Sequence, residues 1–294
     1  MERFTYVRAQ DVQQAVALLN EPGLRSRVLA GGTDLMLLAR QDRHLCDRVV
    51  DISLIPELHR IAREDGLVTI GAAASFSEVL ESPIVRDTAP VLSEACAQVG
   101  AVQVRNMGTI GGNVANAAAC ADSLPALVCL DAAARVQTPA GSQEWPVSEL
   151  VLRPNRTQIP DGGLLLSFSY RVPHPEARSV FLKLGRRNAM AISRLTVAAL
   201  GHLDGQGRIA EARLVPGAAT PQIRRFTAVE DMLVGQQPDA GLWQEAGRLA
   251  ASEMVRISGR RWSSEYKEPA LAALVARALS TVFASTTSLQ GADR

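Results

Sequence analysis

Two paired-glycine segments hold the residues best placed to do chemistry in this chain: Gly31-Gly32-Thr33-Asp34 and Gly108-Thr109-Ile110-Gly111-Gly112-Asn113. Paired glycines carry no side chains, so backbone N–H groups can converge on an anion without steric cost. The threonines, aspartate and asparagine beside them supply short polar groups that cap a helix or bond a ligand. Taken singly, each segment reads as a tight turn, the first as a strand–helix connection capped by Thr33 or Asp34. Two such turns, both loaded with hydroxyl or amide neighbours, point to one extended phosphate-bearing ligand. Neither a G-x-G-x-x-G fingerprint at the first turn nor a P-loop is present, which counts against a Rossmann dinucleotide site and a Walker-type nucleotide site.

Other chemistry is sparse. Cys46, Cys96, Cys120 and Cys129 have no CxxC spacing, and His44, His59, His174 and His202 form no HExxH pair. Neither a zinc knuckle nor a local iron–sulfur loop is therefore expected, and no metal ligand is assigned. No Ser/His/Asp or Cys/His constellation stands out, so no side chain is assigned as catalytic and the chemistry falls to a cofactor. The pairs Arg186-Arg187, Arg224-Arg225 and Arg260-Arg261 read as surface ion pairs or subunit contacts.

Composition narrows the partners. The 294 residues are 47% hydrophobic, enough for one large domain or two ordinary ones without disulfides. Aromatic residues make up 4%, too few for a base-stacking surface, and a net charge of +1 is spread without a basic arm. Nucleic acid and anionic lipid are thus not expected as partners. The segment Met1–Tyr6 lacks the apolar core of a signal peptide, and no apolar run reaches the ~20 residues of a membrane span. A cytoplasmic protein without a membrane span is expected.

The elements that must position the glycine segments alternate. Strands at Phe4–Val7, Arg27–Ala30 and Arg48–Ile52 alternate with helices after Asp11 and after Asp34, which implies a small parallel sheet. A second unit has strands at 67–71, 134–137 and 164–168, helices from Phe76, over Pro90–Ala97 and over Leu124–Leu130, and the second glycine segment between the last two helices. Pro173-His174-Pro175-Glu176 reads as a linker. Beyond it lie strands at 180–183, 193–200 and 210–215, a turn at Asp204–Gly207, and helices over 228–234, 242–254 and 270–283. Ser285–Arg294 reads as a frayed tail. The class is α+β: a two-lobed domain over 1–174, with lobes of about 1–55 and 56–174, holding small mixed or parallel sheets. A smaller domain over 178–290 follows, with an antiparallel sheet and a helical bundle.

The segments Leu29–Leu35, Val50-Asp51-Ile52, Gln103–Asn113, Ala121–Ala126 and Phe181-Leu182-Lys183, in this order and spacing, resemble the FAD-binding subunit of the molybdenum hydroxylases. That family includes xanthine dehydrogenase, carbon monoxide dehydrogenase and aldehyde oxidoreductase types, and the likeness covers essentially the whole chain. The resemblance implies FAD as cofactor. Its pyrophosphate would lie in the first turn, at Leu29, Ala30, Gly31, Gly32, Thr33, Asp34 and Leu35. Thr109, Ile110, Gly111, Gly112 and Asn113 would approach the diphosphate and ribityl chain from the other side. Asp122 would bond the sugar-like part, Lys183 would stabilise negative charge on the reduced flavin, and Leu165 and Ile192 would be apolar neighbours of the ring. Val99 falls where relatives can place an aromatic beside the adenine. Asp34 is expected to cap the helix behind it, since a carboxylate pointing inward would repel phosphate; for Asp122, a helix N-cap role is the alternative.

The same resemblance implies partners: a large molybdopterin subunit and a small subunit with 2Fe-2S clusters, in a dimer of heterotrimers. Electrons would pass from the 2Fe-2S clusters through FAD to an external acceptor, with NAD+, quinone, oxygen and another protein all open. Two rival readings are a stand-alone FAD oxidoreductase and a non-catalytic assembly module that kept the fold.

Overall fold

A computed structural model of the chain describes residues 4–42 and 44–284. The readings made on Met1–Arg3 and on the tail Ser285–Arg294 lie outside the described residues. The first unit is a three-stranded parallel sheet in which Arg48–Asp51 runs between Thr5–Arg8 and Ser26–Leu29. Asp11 caps helix Val12–Leu19 as its sequence requires, its carboxylate accepting from the Gln14 N–H at 2.7 Å. Val16, Val50, Ile52 and Leu58 form a small core beneath this sheet. Asp51, 3% exposed, accepts hydrogen bonds from the Tyr6 hydroxyl, Arg8 Nε and the Ser53 N–H. The Val-Asp-Ile motif is thereby a tie within the sheet.

The second unit is a five-stranded sheet in the order Ile61–Glu64, Leu67–Gly71, Leu164–Arg171, Ala133–Thr138, Gly141–Pro146. Every pairing in it is antiparallel, so parallel strands are confined to the first unit. Six helices lie between the second and fourth of these strands in sequence, including Pro90–Ala97, Val102–Met107, Ile110–Asn116 and Ser123–Cys129.

The third unit is an antiparallel sheet of Arg178–Leu184, Leu195–Leu203 and Ile209–Gly217, followed by helices Thr227–Leu233, Ala240–Ser258 and Ser264–Val282. Its central strand is apolar apart from Thr196 and His202 because both faces are buried. Ala198 and Leu200 belong to the core of the second unit, whereas Leu195, Val197 and Ala199 face the C-terminal helices. Alternation at period two thus makes one strand the shared wall of two cores.

The last helix begins at Ser264 and runs through Pro269, not from Ala270 as the sequence suggests. Proline removes one i→i−4 bond, to the Glu265 carbonyl. Glu265 and Pro269 are both exposed, so water can serve that carbonyl. The reading of Arg224-Arg225 as a surface pair also needs correction. The Arg225 side chain is 29% exposed and bridges the second and third units: Nη1 lies 2.8 Å from Asp131 Oδ2 and Nη2 2.9 Å from the buried Glu230 Oε2. Arg225→Ala is expected to cost about 2 kcal/mol, since Glu230 then keeps only the Leu214 N–H as donor. Urea unfolding of the variant measures it; a change below a few tenths of a kcal/mol would reduce the bridge to a surface contact.

Candidate functional site

The first glycine segment follows strand Ser26–Leu29 and leads into helix Leu35–Gln41. Gly32 holds φ +70°, the left-handed region that glycine enters freely, and this reverses the chain between strand and helix. Gly31 is needed for a different reason. A Cβ placed on it would fall 1.8 Å from the Met107 carbonyl oxygen, so the backbone of the first unit lies directly on the second glycine segment's approach. Leu29, Ala30, Gly31, Gly32, Thr33 and Leu35 are half-buried along this seam.

Among the described residues, none of the N–H groups of Gly31, Gly32, Thr33, Asp34 and Leu35 donates to a protein acceptor. Five neighbouring donors left open on one bend suit anionic oxygens. Asp34 departs from expectation: it is exposed, its backbone is already helical at φ −97° and ψ −46°, and its carboxylate makes no cap bond. A side-chain cap needs an extended residue, and the left-handed Gly32 has turned the chain too early for that.

The second segment is not a turn. Gly108 and Thr109 break two helices, and Ile110, Gly111, Gly112 and Asn113 open helix Ile110–Asn116, capped by Thr109 Oγ1 on the Gly112 N–H at 3.0 Å. Its donors are spent internally: Ile110 N–H reaches the Ala74 carbonyl at 3.0 Å, Gly111 N–H the Ala72 carbonyl at 2.8 Å, and Asn113 N–H the Thr109 carbonyl at 3.0 Å. Gly111 is required because a Cβ there would lie 2.4 Å from the Ala72 oxygen. Asn113 Oδ1 accepts from Ser123 Oγ at 2.7 Å, which leaves its amide NH2 as a free donor. The two segments therefore differ in kind. The first presents open backbone donors; the second supplies close packing and side-chain groups. The Ala72–Ser75 stretch that holds the second segment was missed, although its run of small residues before a helix is a readable sign of close backbone approach.

A third cluster is built where the edge strand Arg178–Leu184 meets helix Pro90–Ala97. The Phe181 N–H donates to Glu94 Oε2 at 2.7 Å and the Val91 N–H to Ser179 Oγ at 3.1 Å, which fixes the strand along the helix. That register delivers Lys183 Nζ to Asp122 Oδ2 at 2.6 Å and to the Gln98 carbonyl at 2.9 Å. Both side chains are under a tenth exposed. Ser193 Oγ donates to the other Asp122 oxygen. Asp122 stands at the N-cap position of helix Ser123–Cys129 yet makes no cap bond; the lysine and serine take its carboxylate instead. Burial pushes the Asp122 carboxyl above its usual range, against the pull of Lys183 and Ser193. Glu94, Gln98 and Ser193 carried no sequence signal, because their partners lie 71 to 87 residues away.

Burial also raises the Glu94 carboxyl above its ordinary 4.5. A raised folded-state pKa gives stability that is full below the unfolded value and lost as pH rises through the folded one. Glu94→Gln, which keeps an acceptor for the Phe181 N–H, is expected to flatten the fall in melting temperature just above pH 4.5. An unchanged profile would remove Glu94 from the account.

The remaining expected positions divide. Val99 follows Gln98 and packs partly buried on the second core, its carbonyl accepting from Arg105 Nη1 at 3.1 Å. Ile192 is 78% exposed and adjoins Ser193, so it stands beside the acid–lysine pair with its side chain open. Leu165 is 6% exposed in the five-stranded sheet, opposite Val136, in one core with Ile110. Burial, then Asp122, raises the Cys120 thiol, which also lies within Coulombic reach of Lys183 and Asp34. No group of three His, Cys, Asp or Glu among the described residues could hold a metal ion, and none of the described helices is long and apolar enough to cross a membrane.

Comparison with known proteins adds the following. Residues 2–175 match the family model described as "FAD binding domain in molybdopterin dehydrogenase", and residues 180–282 match "CO dehydrogenase flavoprotein C-terminal domain". The xanthine dehydrogenase FAD-binding subunit of Escherichia coli O157:H7 is 32% identical over 220 residues, 74% of each chain. The alpha subunit of the 6-hydroxypseudooxynicotine dehydrogenase complex of Paenarthrobacter nicotinovorans is 30% identical over 94% of this chain and 93% of its own. Among solved structures, carbon monoxide dehydrogenase from Hydrogenophaga pseudoflava superposes with a TM-score of 0.89 at 26% identity, covering 96% of this chain and 98% of the matched one.

Proposed function

The chain belongs to the FAD-binding subunits of the molybdenum hydroxylases, and on that premise we propose that it takes electrons from a 2Fe-2S partner subunit and delivers them through FAD to an external acceptor. The observation that carries the reading is the row of open N–H groups from Gly31 to Leu35, closed against Met107 at the seam of two units. A diphosphate held by backbone donors needs little side-chain charge, which suits a net charge of +1. The residues present therefore fit the cofactor. Leu29 to Leu35 would hold the diphosphate, Asn113 and the Thr109–Gly112 helix start would border it, and Asp122, Lys183 and Ile192 would meet the flavin end. Leu165 would be an apolar neighbour of the flavin ring, from the core it shares with Ile110. Val99 would border the adenine.

FAD, when bound, accepts electrons in pairs and releases them singly or in pairs. The chain's own part is placement and electrostatics. Lys183 is neutralised by Asp122, so the pair presents a dipole rather than a bare positive charge, and it stabilises charge on a nearby ring less than a free lysine would. Partner subunits carrying molybdopterin and the 2Fe-2S clusters fit relatives named as medium chains and complex subunits. Assembly as a dimer of heterotrimers and a cytoplasmic setting belong to the same proposal, the latter supported by four unpaired cysteines. We divide the chain into residues 1–174 for FAD and 178–290 for the C-terminal domain, supported by the spans of the two family matches.

The test is direct. The purified chain, supplied with FAD, is expected to show flavin absorbance with about one FAD per chain. It is expected to reduce artificial acceptors or show NADH diaphorase activity, without turning over a hydroxylase substrate alone. A protein that stays colourless after FAD is supplied would leave the assembly-module reading; substrate turnover by the isolated chain would leave the stand-alone oxidoreductase.

A further inference from the structure

A second concave feature lies at the junction of the FAD-binding and C-terminal parts, on chain segments that the flavin reading does not use. Pro154, Ala218, Thr220, Ser258, Arg261 and Lys267 line a cavity of about 150 Å³. No carboxylate lines it. Lys267 Nζ donates to the Ala218 carbonyl at 2.6 Å, and Arg261 Nε to the Ser258 carbonyl at 3.3 Å, so both cations are held by neutral oxygens. Among the described residues neither is in an ion pair, whereas the adjacent Arg260 finds Glu268 at 3.3 Å. Burial, then Arg261, then Arg194 depresses the Lys267 ammonium below its ordinary range. Arg194 follows Ser193, the residue that holds Asp122, and it too has no acidic partner among the described residues.

Cations gathered at one cavity without a counter-ion, Lys267 half-buried and Arg261 exposed, repel one another, and an anion in the cavity would relieve that repulsion. We propose that this cavity binds a phosphate group, either as the free ion or as the terminal phosphate of a nucleotide. Lys267 and Arg261 donate to its oxygens, and Arg194, close enough to help depress the Lys267 ammonium, adds positive charge. The cavity has room for one tetrahedral anion with its water. Trp262, 90% exposed, and Tyr266, 50% exposed, sit beside Arg261 and Lys267 in the chain and offer aromatic faces for a base. Because residues of both parts line the cavity, an occupant also ties the two together.

The test uses the FAD-loaded chain, so that the cofactor site is filled, and its flavin absorbance reports that site separately. Inorganic phosphate, pyrophosphate and ADP are titrated calorimetrically in chloride buffer. Saturable binding of one anion per chain is expected, accompanied by a raised melting temperature. Lys267→Met and Arg194→Gln are each expected to weaken it at least about tenfold, with Arg248→Gln on the outer helix face unchanged. If ADP binds more tightly than phosphate and Trp262→Ala removes the difference, the source is a nucleotide; if phosphate binds as well as ADP, it is the free ion. Arg194→Gln makes no internal bond to lose, so it remains informative even where Lys267→Met unfolds. No saturable heat from any of the three at millimolar concentration, or equal affinity in Arg194→Gln and the parent, overturns the proposal whether or not FAD is bound.

Discussion

Gly31→Val is expected to yield protein that purifies without FAD and unfolds at markedly lower denaturant. The added Cβ would stand 1.8 Å from the Met107 oxygen, a backbone atom that no rotamer change can move. Either the first unit must lift from the second glycine segment or the Met107–Gly108 peptide must shift. Overpacking of this kind costs about 3 kcal/mol where it can be absorbed at all. Lifting would also spread the five open donors away from the seam, so cofactor loss and destabilisation are expected together. Gly32→Ala is the internal comparison. Its Cβ meets only movable side chains, Leu29 at 2.9 Å and Met36 at 3.5 Å, and the cost is left-handed strain of about 1–2 kcal/mol. The flavin-to-protein absorbance ratio and urea unfolding decide the matter. Full FAD retention in Gly31→Val would remove the seam as the diphosphate site.

Lys183→Met is expected to be the most damaging change at the flavin end. It leaves the Asp122 carboxylate, 6% exposed, with the Ser193 hydroxyl as its only side-chain donor. Removing one partner of a buried pair costs about 3–5 kcal/mol, because the remaining charge is neither solvated nor matched. The sign of the pH dependence follows. Asp122 already lies above 3.8 with Lys183 present, and without it the folded-state pKa rises further. Its protonated form is then favoured by folding, so the variant keeps its stability in acid and loses it as pH climbs through the folded value. Urea unfolding between about pH 5 and pH 8 is expected to show a deficit that grows with pH. Adding Asp122→Asn is expected to recover most of that deficit, which a general packing defect would not allow. Equal deficits at both ends of the range, with no recovery in the double variant, would mean that Lys183 acts only through its bulk.

Much of the site was legible in the residues. Asp11 caps its helix, the Asp204–Gly207 turn closes its hairpin, and the parallel alternation of the first unit follows from strands and helices that read clearly at their own periods. The glycine motifs marked both places where the backbone must come close. Their local conformations were less legible. Gly111-Gly112 reads as a turn by composition, but Thr109 and the Ala72 and Ala74 carbonyls make it the first turn of a helix. Asp34 and Asp122 have the chemistry of N-caps and the positions of N-caps, yet neither makes the bond.

By itself the sequence determined where glycine is demanded, many of the strands and helices, and, through the spacing of its motifs, the family and its cofactor. The elements rest on the periods of hydrophobic burial, written in neighbouring residues, whereas the backbone oxygens of Met107 and Ala72 that exclude a side chain at Gly31 and Gly111 are brought there by the fold. Only the tertiary structure decided that the two glycine segments divide their labour, one offering donors and the other spending them. It also decided that Asp122 belongs to Lys183 and Ser193 and not to its own helix, and that Arg261 and Lys267 share a cavity without an acid. A hydrogen bond or an ion pair goes to whichever partner the packing brings within about 3 Å, and those partners stand 61 and 71 residues from Asp122 in the chain.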